Sequence, residues 1–196
     1  GTYAGWDTAQ SEVPLEIFAH APNQYTTVTH RNEGDNVWPF DGQNAWYAGV
    51  DAAIADFTLT YTGGNLQGAR IEAMVALEPA KIQGAFDRWR VGETLVDDQY
   101  VTVLQGSNTG ESPVNFFFDE TSGLLVRLVR WSETSVGPVP TQFDYADYRE
   151  VDGVQRPFRW VKTWTNNQVT FRLDDMQPNV SVDPARFARP DPIQVR

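Results

Sequence analysis

Between Pro113 and Leu173 the chain alternates strand-length apolar runs with short polar turns. Five runs rich in β-branched and aromatic residues are separated by Thr121-Ser122-Gly123, Gly137-Pro138, Asp152-Gly153 and Asn166-Asn167. Runs of this length, bounded by Gly, Pro, Asn and Asp, are typical of successive antiparallel hairpins. The stretch therefore predicts a meander.

The last two runs of this stretch indicate how the strands face their surroundings. Val169, Phe171 and Leu173 alternate with polar residues, as a sheet with one wet face requires. In the preceding run Arg156 and Lys162 interrupt an even-numbered apolar set made of Val154, Phe158, Trp160 and Trp164. One face of the sheet must therefore contact something apolar.

The N-terminal part of the chain predicts further hairpins. Apolar and polar residues alternate in 13–19, and polar turns then separate apolar runs at 25–30, 37–40, 45–47 and 57–61. Residues 1–5 are similar to the middle of a strand, so we expect a processed, truncated or incompletely traced N-terminus.

The periodicity changes after Thr62-Gly63-Gly64. Apolar residues recur at helical spacing from Leu66 to Leu77, and Pro79 ends that pattern. A second short helix is predicted from Ala80 to Trp89, followed by a strand from Thr94 to Leu104 and a hairpin turn in 107–110.

The predicted fold class is mainly β (α+β). We expect about nine to eleven strands in a strongly curved antiparallel sheet or half-barrel, with two short helices packed on the concave face. The side chains expected to be largely buried are Ile71, Leu128, Phe143, Trp160, Trp164 and Phe171.

Residues 178–196 form a Pro-rich C-terminal arm. Prolines at this density cannot join a central sheet, so we predict at most a short edge strand at 180–182. Phe187 is the candidate for anchoring the arm on the body of the protein. The prolines are Pro178, Pro184, Pro190 and Pro192.

Length and charge restrict the function. A chain of 196 residues with 41% hydrophobic residues suits a single domain, 1–196, with a substantial core. Its formal charge of −11 repels phosphate backbones and anionic lipid headgroups. We therefore predict no nucleic-acid partner and no electrostatic docking on a membrane.

The chain has no cysteine. Disulfides, thiolate nucleophiles, Cys-based metal sites and covalent haem attachment are therefore excluded for this chain. The sequence also has no apolar run of the length of a membrane span.

Candidate acid-base groups are few, which predicts that the protein is not an enzyme and holds no cofactor or metal. His20 and His30 are the only histidines, and the hairpin prediction separates them. Gly63, Gly64 and Gly68 lack the lysine of a phosphate-binding loop.

Three acidic pairs, Asp97-Asp98, Asp119-Glu120 and Asp174-Asp175, are expected to be solvated. A hydrolase that uses only carboxylates stays open at this point, because the sequence cannot place Asp97, Asp119 and Asp144 relative to one another.

Seven tryptophans are the most distinctive feature of the composition. Their simplest role is a large aromatic core, since a Trp side chain buries much apolar area. The alternative is an aromatic-lined concavity in a curved sheet that two short helices cover only in part. The residues predicted to line that cavity are Trp46, Phe143, Trp160, Trp164 and Phe171.

Three segments carry a resemblance to a known family. The letters FFDETSGLLVR at 117–127, FDYADYREVDGVQRP at 143–157 and NVSVDPARF at 179–187 resemble LolA/LolB-like lipoprotein-carrier domains. The chain is also similar to the domain found beside the c-type cytochrome subunit of photosynthetic reaction centres in some bacteria. The resemblance covers nearly the whole chain and is strongest from Asp98 onward.

This resemblance implies a half-open antiparallel barrel with helices against its concave face, exported to the periplasm. It implies no catalytic residues. The sequence departs from it in two ways: the N-terminal helix expected before Gly1 is missing, and there is no C-x-x-C-H haem motif.

Two binding roles follow. The first is a non-catalytic periplasmic accessory subunit that docks on membrane-anchored cytochrome or reaction-centre subunits. The alternative is a periplasmic carrier that holds a lipid or lipoprotein acyl chain in the aromatic cavity. The Pro-rich arm, the apparent start inside a strand and the reaction-centre resemblance favour the first role as a hypothesis.

Overall fold

The computed structural model of the protein describes residues 1–49, 58–134 and 137–191. These residues group into two compact units, one formed by 1–82 with 173–196 and the other by 83–172. Phe57 of the predicted strand 57–61, together with Pro192 and the end of the predicted arm, lies outside the described residues.

In its described residues, 1–49, 58–82 and 173–191, the first unit contains six strands and one α-helix. The strands are β1 (Thr2–Gly5), β2 (Val13–His20), β3 (Gln24–Arg31), β4 (Gly34–Phe40), β5 (Trp46–Ala48) and β6 (Thr58–Thr60). They lie in the order β6-β5-β4-β3-β2-β1, and every neighbouring pair is antiparallel. Helix α1 (Gly63–Leu77) contacts β2 and β4, and a 3-10 helix runs from Trp6 to Thr8.

Helix α1 covers one face of these strands. Phe40, Ala45 and Ala73 are buried together, and Leu66 and Ala69 of α1 pack against them. Small alanine side chains let the helix approach the strands closely, and the apolar area removed from water stabilises the contact.

The C-terminal segment covers part of the other face. The hydroxyl of Thr26 donates a hydrogen bond to the carbonyl of Arg186 at 2.8 Å, and the Arg186 guanidinium lies 4.5 Å from the Phe18 ring centroid. Phe187, in a 3-10 helix from Pro184 to Phe187, is only 1% exposed. The predicted anchoring role of Phe187 is confirmed. Residues 180–182 lie outside the strands, and the prediction allowed at most a short edge strand there.

The part of the second unit that the structure describes, 83–134 and 137–172, contains seven strands. They are β7 (Arg88–Val96), β8 (Gln99–Ser107), β9 (Val114–Asp119), β10 (Leu125–Thr134), β11 (Gly137–Val151), β12 (Val154–Trp164) and β13 (Asn167–Arg172). Each strand pairs antiparallel with its neighbours in the sequence. The last five strands are the predicted meander.

A turn at Asp97-Asp98 divides the region that was predicted as one strand from Thr94 to Leu104. Both aspartates have positive φ, 50° and 63°, and Val96 pairs with Gln99 across the turn. Two successive left-handed residues define the type I′ hairpin turn, and Asp tolerates that conformation. The prediction missed the turn because neither residue is Gly or Asn.

The fold class is confirmed: the described residues form a mainly β structure with antiparallel strands, α1 and a second short helix. The strand estimate of about nine to eleven was too low, since thirteen are present in the described ranges. The second helix is a 3-10 helix from Pro79 to Ala85, and Trp89 lies in β7 instead.

Burial is uneven across the predicted core. Ile71, Leu128 and Phe143 are buried, as expected. Trp160, Trp164 and Phe171, which were also expected to be largely buried, keep part of their surface exposed. Alternation identifies the face of a strand but not how completely that face is covered.

Candidate functional site

Strand register brings four of the predicted cavity residues onto one face of the second unit. Trp160 in β12 lies opposite Tyr145 in β11 and Phe171 in β13. Phe143 and Trp164 share this face, since Phe143 lies opposite Lys162 and Trp164 opposite Thr141. We call the surface formed by Phe143, Tyr145, Trp160, Trp164 and Phe171 the aromatic face.

The rings of the aromatic face are arranged in stacks. The ring centroids of Trp160 and Phe171 are 5.1 Å apart with an interplanar angle of 11°, and those of Phe143 and Tyr145 are 6.3 Å apart at 11°. Phe143 is 2% exposed, whereas the other four rings are half-buried. The face thus has a buried base at Phe143 and partly accessible aromatic surface beside it.

Two cationic side chains lie at this buried base. Lys162 Nζ is 5.0 Å from the Phe143 ring centroid, and Arg130 Cζ is 5.9 Å from it. Arg130 is 5% exposed and donates a hydrogen bond to Ser132 Oγ at 3.2 Å. Cations near an aromatic ring are attracted by its quadrupole, so positive charge and apolar surface coexist on this face.

The fifth predicted cavity residue, Trp46, lies in β5 of the first unit. Its neighbour Tyr47 stacks on Trp38 at 5.2 Å, and adjacent strand residues point to opposite faces. Trp38 shares its parity with Phe40, which packs against α1. The register therefore places Trp46 on the face opposite the one that α1 covers.

Further apolar side chains lie on the same face as Phe143, from Leu128 toward β7. Leu128 lies opposite Phe116, and Phe116 contacts the rings of Phe86 and Trp89. A Cβ atom on Gly106 would lie 2.6 Å from the Phe86 ring, so the absent side chain leaves the space that the ring occupies. Glycine in a strand often marks such a close approach.

The opposite face of the second unit contains a group of paired polar side chains. Gln105 donates a hydrogen bond to Asn115 at 2.9 Å, and Gln142 donates one to Asp144 at 2.7 Å. Arg127 forms an ion pair with Asp144 and lies 3.7 Å from Asp97. Two of the three carboxylates considered for hydrolysis are therefore held around one guanidinium.

The third carboxylate, Asp119, caps its own turn. Its Oδ1 accepts hydrogen bonds from the hydroxyl of Ser122 at 2.6 Å and from the backbone N–H of Ser122 at 2.7 Å. These bonds to the ionised form lower the pKa of Asp119. The arrangement stabilises the turn before β10.

The histidines occupy separate positions in the first unit. His20 is exposed, with its ring 6.2 Å from the Phe187 ring. His30 lies between two carboxylates, with Nδ1 2.9 Å from Asp35 and Nε2 3.0 Å from Glu16. Partial burial acts to lower the pKa of His30, but the hydrogen bonds to Asp35 and Glu16 outweigh it and the pKa is raised.

The described ranges contain no group of three or more His, Asp or Glu side chains able to hold a metal ion. None of the helices in these ranges is long and apolar enough to cross a membrane.

The comparisons identify the fold. No protein-family model matches the sequence, and no curated protein was matched. The structure is similar to a LolA superfamily protein from Nitrosomonas europaea, with a TM-score of 0.52 and 12% identity over 94% of this chain and 87% of that chain. It is also similar to a DUF1329 family protein from Desulfovibrio piger, with a TM-score of 0.51 and 13% identity over 89% of this chain and 79% of that chain.

These two similarities define the class: the chain has a LolA-like fold. The family resemblance inferred from the sequence is confirmed at the level of fold. The association with reaction-centre cytochromes is not shown.

Sequence reasoning missed three members of the site, Tyr145, Lys162 and Arg130. Lys162 interrupts the apolar parity of β12 between Trp160 and Trp164, and this interruption was the signal. A charged residue inside an apolar parity set marks either an error in the strand assignment or a charge held on the apolar face.

Proposed function

We propose that this protein is a non-catalytic extracytoplasmic carrier that holds a lipid or lipoprotein acyl chain against the aromatic face. The observation that carries the proposal is incomplete burial. Trp160, Trp164 and Phe171 belong to the apolar face of the second unit yet remain half-buried, while Leu128 and Phe143 beside them are sealed.

Partly accessible stacked rings suit an acyl chain. A chain laid along Trp160 and Phe171 would remove apolar area from water on both partners, at roughly 25 cal/mol per Å². Aromatic walls with a few placed polar groups are typical of small-molecule sites.

The cations at the base of the face add a second element of recognition. Lys162 and Arg130 lie within 6 Å of the Phe143 centroid, as their separations of 5.0 and 5.9 Å show. We propose that they favour ligands that carry an anionic or strongly polar head, such as a carboxylate or phosphate, next to the acyl chain.

The LolA-like fold supports the carrier role and an extracytoplasmic location. The accessory-subunit hypothesis, with a reaction-centre cytochrome as partner, remains an untested prediction, and no described contact favours it over the carrier. The carrier proposal includes no catalytic step and no cofactor.

The test compares two tryptophans of the same unit. Trp160→Ala removes a ring of the aromatic face, and Trp131→Ala removes a half-buried ring of the opposite parity, since Trp131 lies next to Arg130 in β10. We expect Trp160→Ala to weaken binding of a long-chain fatty acid and of an acylated lipopeptide by about ten- to a hundredfold. Trp131→Ala should leave both affinities unchanged.

Isothermal titration and native mass spectrometry of the purified protein would measure these affinities. Equal losses in both variants, or absence of binding by the folded wild type, would refute the carrier proposal.

A further inference from the structure

The edge strand β7 is the most exposed long element of the second unit. Seven of its nine residues are exposed, all except Trp89 and Val96. It stands at the end of the strand order and, within the described ranges, pairs only with β8. Long exposed edges are usually shortened, bulged or covered, because their free N–H and C=O groups pair with other strands.

Exposed apolar side chains lie along one side of the β7–β8 hairpin, where Glu93 interrupts them. Val91 and Leu95 are 73% and 55% exposed, and Tyr100, which lies opposite Leu95, is 69% exposed. These side chains continue the apolar parity of Trp89, which contacts the buried Phe116. An exposed extension of a core row marks an interaction surface more often than a solvated one.

The type I′ turn determines which backbone groups face outward. In such a hairpin the pair that flanks the turn, Val96 with Gln99, exchanges hydrogen bonds, and bonded and non-bonded pairs then alternate. The N–H and C=O groups of Leu95, Glu93, Val91 and Trp89 therefore point away from β8. These groups are available to another strand.

The charges of the hairpin are polarised along its length. Arg88 and Arg90 lie near the start of β7, while Glu93 and the turn residues Asp97 and Asp98 lie toward its end. Asp87 reduces the positive charge at the start but does not reverse it. An antiparallel copy of the same strand would place each basic end beside the acidic end of the other copy.

We propose that β7 is a self-association edge, at which two copies of this chain pair antiparallel about Gly92 and join their sheets. In this register Trp89 lies opposite Leu95 of the second copy, and Val91 opposite Glu93 of the second copy. Gly92 lies opposite Gly92 of the second copy as a non-hydrogen-bonded pair. A Cβ atom at Gly92 would have no atom within 4 Å apart from those of its two chain neighbours. A single strand pair buries little area, so the dimer is weak and concentration-dependent.

Sedimentation velocity of the full chain tests this association over a range from micromolar to millimolar protein. The buffer should contain about 0.15 M salt, because the net charge of −11 on each copy causes repulsion, and screening then limits the range of that repulsion to about 8 Å. We expect a monomer–dimer equilibrium. Val91→Glu should weaken it by roughly tenfold or more, because it places a like charge opposite Glu93 of the second copy. Val154→Glu is the matched control, because Val154 is 43% exposed outside β7 and its replacement should leave the equilibrium unchanged.

A covalent test defines the register. The chain has no cysteine, so Gly92→Cys introduces a single thiol in each copy. Cα atoms of a non-hydrogen-bonded antiparallel pair lie about 4.5 Å apart, within the range that a disulfide spans. Mild oxidation should give a covalent dimer for Gly92→Cys and a much slower reaction for Val154→Cys.

A wild type that stays monomeric at millimolar concentration would overturn the proposal. A dimer that Val91→Glu does not weaken, while circular dichroism shows a folded variant, would overturn it as well. So would equal oxidation rates for the two cysteine variants.

Discussion

The two units bury their strands differently, although both are built from antiparallel hairpins. In the first unit, β3 is covered on both faces, by α1 on the side of Tyr25 and by the C-terminal segment on the side of Thr26. In the second unit, β12 has an aromatic side with Trp160 and a polar side with Thr163. In the first unit the apolar face is buried in the unit's own core, whereas in the second unit part of the apolar face stays accessible.

The difference shows why alternation along a strand is an incomplete guide to burial. Thr26 and Thr29 of β3 lie on opposite faces, yet both are fully buried. Trp160 is far more apolar than either threonine and is only half-buried. What decides burial is whether another element packs on that face, and the strand's own sequence does not contain this information.

The largest expected effect on stability comes from replacing one phenylalanine in each unit with alanine. Phe40→Ala empties the cluster under α1 and should lower the free energy of unfolding by about 3–5 kcal/mol. Phe171→Ala removes a half-buried ring and should cost about 1–2 kcal/mol. Denaturant unfolding followed by circular dichroism measures both. Equal losses of unfolding free energy would mean that the two phenylalanines are equally well packed and would contradict the difference between the two units.

A smaller effect is expected where the second unit is tightly packed. Gly106→Val forces a side chain into the space of the Phe86 ring, 2.6 Å from the built Cβ position, and should cost about 1–3 kcal/mol. Gly92→Val, in the paired strand, meets nothing within 4 Å and should cost nothing measurable. Thermal unfolding of dilute protein compares the two. An unchanged melting temperature in Gly106→Val would show that the Phe86 ring is loosely packed and can move away from position 106.

The smallest effect concerns charge in the first unit. Because the pKa of His30 is raised in the folded protein, folding is stabilised by its protonated form. That contribution is fully present below the unfolded value of about 6.5 and is lost as the pH rises through the folded pKa. For a partly exposed pair it should stay below about 1 kcal/mol.

Melting temperatures between mildly acidic and mildly alkaline pH measure this contribution. His30→Gln should abolish this part of the decline of stability with rising pH, and Glu16→Gln should make the decline smaller. Each substitution removes one partner of the 3.0 Å contact between His30 and Glu16. An unchanged pH profile in His30→Gln would show that the two carboxylates do not act on folding through this histidine.

Several elements were predictable from the sequence because their causes are local. The meander follows from turn residues such as Asp152-Gly153, where both residues adopt positive φ, 51° and 76°. Helix α1 follows from apolar spacing and from Pro79 after its end. The shared face of Trp160, Trp164 and Phe171 follows from strand parity once the turns are known.

The remaining features depend on contacts between residues distant in the sequence. The Thr26–Arg186 hydrogen bond joins positions 160 residues apart, and no local pattern around Thr26 signals the covering segment. Residue type alone groups Trp46 with Trp160, but the position of Tyr47 against Trp38 decides which face Trp46 occupies. In the sequence Lys162 is only an interruption of the apolar parity of β12, because the cross-strand pairing with Phe143 is needed to show that a cation lies on the aromatic face. Propensity and periodicity act within a few residues, whereas coverage of a face is settled by the element that packs on it.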